Sequence, residues 1–295
     1  MSVDTGTSIP AAVAEAALAG RRLEAAQVQH LATVRDILAL GALADDVRRQ
    51  RHGTAATFVR VHELDLAAPE TWAAPPDRAG EVRLTGTALS TEALVEAVRR
   101  ARTLAGGRAL RGGELTALWS AGGAALLGAL AQAGLDGVAR VRPGAEAVAA
   151  VQAARTAGLA VQVVGLDRPV DDRAAWLLEV RALVDAVGGV DAVAPLADEA
   201  DPSAPTTGFD DARSVALARL ALESVPHVQV DWQRHGPKLA QVALTLGADD
   251  LDLVSAADDT TRGPRRAPIE ELRRNVAAAG LTPVERDGRF GRVPA

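Results

Sequence analysis

Cysteine is absent from this 295-residue chain, which also holds a single methionine, one lysine (Lys238) and only 2% aromatic residues. Without a thiol there is no disulfide framework and no thiolate metal site. No apolar run reaches the roughly 18–20 residues that a membrane helix needs. The first ten residues lack the basic and apolar regions of a signal peptide, so a cytoplasmic protein is expected and no membrane role. A net charge of -6 and a pI near 5.5 argue against the basic face that nucleic-acid binding requires. The glycines Gly86, Gly106, Gly107, Gly112 and Gly113 do not form a dinucleotide fingerprint after a strong strand.

What remains is an alternation of short apolar runs and helical patterns. Trp176, Val180, Leu183, Val184 and Val187 recur on one helical face and are expected in the core. Strands are predicted at 57–61, 82–84, 138–141, 160–164, 192–194, 228–230 and 251–254, with a poor one at 108–110 where glycine and arginine interrupt the pattern. Strands alternating with helices imply βαβ units on a parallel sheet. Residues 67–80 and 198–208 read as loops, each with several prolines or acidic residues. Residues 10–51 read as a helical extension, giving an expected division into 1–51 and a barrel at 52–295.

Several segments carry a family likeness. His227-Val-Gln-Val-Asp-Trp-Gln-Arg-His-Gly-Pro-Lys, followed by Gly247-Ala-Asp-Asp-Leu-Asp, is similar to the end of the barrel in the radical S-adenosylmethionine enzymes of the futalosine route to menaquinone. Those are aminofutalosine synthase and cyclic dehypoxanthine futalosine synthase, with the deazaflavin cofactor (FO) synthases as further relations. Residues 40–64 resemble the family's lead-in to its first strand, and 264–287 its closing helix and strand. Ala133-Gly-Leu-Asp-Gly and Pro143-Gly-Ala-Glu-Ala resemble two of its glycine turns with fewer glycines, and Val163-Val-Gly-Leu stands where the family has a histidine. The resemblance implies an α/β fold, a TIM-like (β/α) barrel of radical SAM type with a helical N-terminal extension. Family members hold a [4Fe-4S] cluster on a three-cysteine loop after the first strand. Here that place has Asp65-Leu-Ala-Ala-Pro-Glu-Thr-Trp and two more prolines, too short and too proline-rich for the usual helix, so the first βα unit is expected to be truncated. No cluster is expected, and S-adenosylmethionine binding is put in doubt.

Barrel sites lie at the C-terminal ends of strands. The candidates there are His62, Glu63 and Asp65; Thr85 and Thr87; Arg140 and Arg142; Asp167 and Arg168; Asp198 and Glu199; Asp231, Gln233, Arg234 and His235; and Ser255, Asp258 and Asp259. Asp231, Arg234, His235 and His62 are the catalytic candidates. Trp232, Gln233, Arg140, Glu146 and Asp167 are candidates for holding a ligand. His62-Glu-Leu-Asp65 offers donors, but alternation along a strand splits them between two faces, and no metal is expected. His235-Gly-Pro-Lys reads as a helix start, while His227, Asp249 and Asp250 read as structural residues on the barrel floor.

Two functions follow as expectations. One is a non-catalytic homologue associated with menaquinone formation, binding a partner such as a cysteine-bearing homologue, a second copy of itself, or a small polar ligand. The missing helix is expected to leave strand surface near 57–61 and 82–84 bare, for the N-terminal helices or another subunit to cover. The other is a cluster-independent hydrolase or lyase acting on a nucleoside-like or other small polar substrate.

Overall fold

The computed structural model describes residues 8–88, 90–198, 206–257 and 269–294. Three helices come first, α1 (Ala11–Leu18), α2 (Ala25–Thr33) and α3 (Ile37–His52). The barrel follows as β1 (Ala55–Asp65), β2 (Glu81–Thr85), α4 (Thr91–Ala105), β3 (Ala109–Gly112), α5 (Leu115–Gln132), α6 (Ala147–Thr156), β4 (Val163–Leu166) and α7 (Arg173–Val187). It continues through β5 (Ala192–Ala197), α8 (Gly208–Ala221), β6 (His227–Asp231), α9 (Trp232–Leu244), β7 (Asp250–Ser255), α10 (Ile269–Ala278) and β8 (Thr282–Arg286). Helix ends follow local chemistry: Ser90 accepts the Ala93 N–H to start α4, and Gly106, at φ 60°, ends it.

The sheet is parallel, in the order β3-β2-β1-β7-β6-β5-β4. Its two edges are joined by residues 137–141, which take in the fourth strand predicted at 138–141. They form no regular ladder, yet bond to both sides: Ala139 N–H donates to Gly113 O at 3.0 Å, Val138 N–H to Ala160 O at 3.0 Å and Val141 N–H to Val163 O at 2.9 Å. The result is a TIM-like barrel. β1 is long enough to serve two neighbours on one edge, because β8 pairs with residues 55–59 while β2 pairs with residues 61–65. The predicted strand at 160–164 begins only at Val163, and the weak one at 108–110 is β3.

The first crossover has no α-helix. Residues 66–80 hold one 3-10 turn, Pro69–Thr71, so the truncation expected from the prolines is present. The expected bare flank is not. Phe58, Leu64, Val82 and Leu84, which point outward from β1 and β2, are at most 3% exposed. The N-terminal helices do not cover them, since α2 packs on α7 and α8, and α3 on α8. The loop itself folds back: Trp72 Nε1 donates to Asp65 O at 2.7 Å, and the Arg100 guanidinium of α4 lies 5.2 Å above the Trp72 ring. Trp176, Val180, Leu183 and Val184 are buried as predicted.

Inside the barrel, apolar packing is reduced to a small cluster of Val59, Val61 and Leu253. Charge fills the rest. Arg286 of β8 binds Asp250 through two bonds of 2.6 and 2.7 Å, and Asp250 also accepts from Thr57 and Gln229. Arg83 reaches from β2 to Asp252 on β7 at 2.6 Å and to Glu81 at 2.6 Å. Burial would by itself neutralise Asp252, but the Arg83 guanidinium outweighs it and holds the carboxyl well below the usual range. At the floor, Asp249 binds Arg219, His227 and the Val228 N–H, and its carboxyl is held at about 2 against its burial. His227 and Asp249 thus sit at the floor of the barrel, where the sequence placed them.

Deleting one member of such a pair leaves the other buried and uncompensated. Asp250→Ala is therefore expected to lower the unfolding free energy by roughly 3–5 kcal/mol. Urea denaturation measures this, and a loss under about 1 kcal/mol would mean that the interior relaxes around the unpaired arginine.

Candidate functional site

At the top of the barrel, the ends of β1, β5, β6 and the 137–141 segment bring one group together. Asp198, just past β5, binds Arg140 with one carboxylate oxygen and Arg234 with the other, the latter at 2.6 Å. Arg234 lies 3.7 Å from the Oδ2 of Asp231. Glu63 of β1 accepts from Gln233 at 3.0 Å. Of the predicted strand-end residues, Asp231, Arg234, Gln233, Arg140, Asp198 and Glu63 therefore converge.

Asp231 ends β6 and caps α9, its Oδ1 accepting the Arg234 N–H at 2.9 Å. This start precedes the one read at His235-Gly-Pro-Lys. The helix instead breaks at Gly236 (φ 78°) and resumes at Pro237, so the second helical stretch, and not the first, begins at the proline. The Oδ2 of Asp231 is buried and has no hydrogen-bond partner. Burial pushes this carboxyl up to about 6, with the Asp252 carboxylate adding to the effect and the Arg234 N–H bond opposing it. Burial lowers Arg140 to about 10, with Arg83 assisting by repulsion. A buried acid titrating near neutrality, beside two guanidinium groups, can exchange a proton with a bound molecule.

Other candidates sit elsewhere. His62 points to the outside of β1, where its Nε2 meets Ala73 O at 3.1 Å and it lines a cavity of about 480 Å³ with Asp65 and Trp72. It does not face Asp231, as strand alternation from Glu63 requires. Trp232 does not line the mouth: it is 1% exposed within the apolar core, which corrects its reading as a ligand contact. Its position follows from the same alternation, one residue after an inward-facing Asp231. Asp167 binds Arg142 at 2.5 Å, and Arg142 binds Glu114 at 2.7 Å; Asp167, Arg142 and the exposed Glu146 border a second groove of about 440 Å³. His235 is half-buried next to the break in α9. Glu199, Asp258 and Asp259 lie outside the described residues.

Arg83 and Arg111, both buried in the interior, were not singled out from sequence. The signal was there in Glu81-Val-Arg-Leu-Thr85, where polar residues alternate with apolar ones and so mark a polar barrel face.

The folded pKa of Asp231 lies above its unfolded value, so its contribution to stability is greatest below about pH 4 and is lost as the pH rises through about 6. Asp231→Asn keeps the cap and removes the charge. It is expected to raise stability at neutral pH by roughly 2–3 kcal/mol and to change it little near pH 4. Thermal unfolding across pH checks this, and an equal shift at both ends would show that the carboxyl titrates normally.

No family model matches the chain. The chain is 33% identical to aminodeoxyfutalosine synthase of Thermus thermophilus over 150 residues, which cover 45% of the chain and 40% of that enzyme. It is 30% identical to cyclic dehypoxanthine futalosine synthase of Streptomyces coelicolor over 127 residues, 39% of the chain and 31% of that enzyme. The matched stretches thus span less than half the length of either relative. Among solved structures, methylornithine synthase superposes with a TM-score of 0.67 at 13% identity, covering 94% of the chain and 98% of that protein, which establishes a shared fold.

Proposed function

We propose that this chain, a cysteine-less homologue of the aminodeoxyfutalosine and cyclic dehypoxanthine futalosine synthases, performs no radical chemistry and binds a small polar ligand at its barrel mouth. An iron-sulfur cluster does not fit the residues present. The loop after β1 offers carboxylates, not thiolates, and Asp65 already accepts the Ala67 N–H at 2.9 Å. The observation that carries the ligand reading is the Asp231 Oδ2, a buried acceptor with no hydrogen-bond partner beside a paired Arg140–Asp198–Arg234 group. Buried acceptors in native proteins are ordinarily satisfied, and a ligand hydroxyl or amine supplies the missing donor. Because the strand flank left by the truncated unit is buried within the chain, the main physical reason for a partner such as a cysteine-bearing homologue, or for self-association at that place, is removed. The ligand is the occupant we favour.

A second reading rests on the raised pKa of Asp231. A carboxyl near 6 serves as a general base or acid, so a cluster-independent hydrolase or lyase acting on a nucleoside-like molecule would use Asp231 for proton transfer and Arg234 and Arg140 to orient anionic or hydroxyl groups.

After anaerobic iron-sulfur reconstitution, the purified protein is expected to retain no cluster and to form no deoxyadenosine from S-adenosylmethionine under reducing conditions. Stoichiometric iron and sulfide, or turnover above a no-protein control, would sink the first reading. In calorimetric titration with nucleosides, Asp231→Asn and Arg234→Ala should each weaken binding by about ten-fold or more. Nucleoside that binds wild type and both variants equally would place the ligand elsewhere.

A further inference from the structure

We propose a second binding site, for an uncharged apolar small molecule, between α4 and α5 on the outside of the barrel. A cavity of about 460 Å³ lies there, over the ends of β2 and β3. Its floor is Leu84, Val98, Leu118, Leu126, Leu130 and Leu135, each at most 8% exposed. Its opening runs past Thr87, Thr91 and the exposed Ala117 and Ala121. Buried leucines at the bottom and hydroxyls at the rim describe a pocket for a hydrocarbon or aromatic body with one polar end. The size falls within the range of small-molecule sites.

The cavity has a structural cause. α5 is not continuous: Gly123 takes φ 57° and ψ -149°, so the helix is two segments that meet at an angle beside the cavity. A side chain at that φ would be strained, so the break is written into the glycine. Gly122 and Ala121 on one side and Ala125 on the other keep that stretch of α5 small, and a groove lined by Gly122, Ala125 and Leu126 continues from the cavity along α4. Protein interiors are close-packed, and voids larger than a water molecule are few. Apolar pockets in this size range take up apolar guests. This one is separate from the mouth, where the polar ligand of the preceding section would bind, and does not depend on that reading.

The test uses the full-length chain and N-phenyl-1-naphthylamine, an uncharged apolar fluorophore. Saturable binding at one site per chain is expected, with Ala121→Phe, which plugs the opening, weakening it by roughly ten-fold or more. Ala124→Phe, on the exposed side of α5 and not part of the lining, should bind like wild type. Where Ala121→Phe fails to fold by circular dichroism, Ala117→Phe takes its place. Absence of saturable binding to wild type, or equal affinity in the plugged and control variants, would overturn the proposal.

Discussion

The Arg286–Asp250 pair, at the centre of the barrel, is the contact on which the rest of the interior depends. Asp250 is fully buried, and without a cation it would carry one of the largest penalties available to a folded chain. Arg286 meets it with two bonds, Thr57 and Gln229 take the remaining lone pairs, and the Phe290 ring lies 4.0 Å from the same guanidinium. Arg83 and Asp252 repeat the arrangement one layer higher. A barrel of this size is usually filled by branched aliphatic side chains. Here charge pairs fill much of that volume, and each pair fixes the relative height of two strands that are not neighbours.

This interior also sets the chemistry of the mouth. Asp252 holds its charge because Arg83 faces it, and that fixed negative charge helps to keep the Asp231 carboxyl protonated to an unusually high pH. The property that makes Asp231 a candidate thus originates below it, in residues that no ligand would touch.

Much of the fold was readable because it depends on patterns that strands and helices repeat. Apolar runs located β1, β2, β5, β6 and β7, and the three prolines of the loop after β1 predicted its lost helix. Residues 138–141 read as a strand from their apolar run and do bond on both sides, but as isolated bridges and not as a regular ladder. The site was half legible. Asp231 and Arg234 were found because strand ends are where barrels act. Trp232 was misplaced because an aromatic beside the mouth was weighed above the alternation that sends it outward. The buried flank could not be foreseen, since it relies on Trp72 turning back onto Asp65 and Arg100 from a segment with no regular structure.

The seating of β8 has a further consequence for synthesis. This strand lies against the N-terminal half of β1, more than 220 residues earlier in the chain, and it delivers the arginine that neutralises Asp250. A chain emerging from the ribosome in order has β1 and β2 available long before Arg286 exists, while Asp250 is made only 36 residues ahead of its counter-ion, so both halves of the pair arrive late and nearly together. The barrel therefore cannot settle stave by stave as it is made. Its last strand works as a latch, and completion of the polar interior is tied to the arrival of that strand rather than to the assembly of those before it.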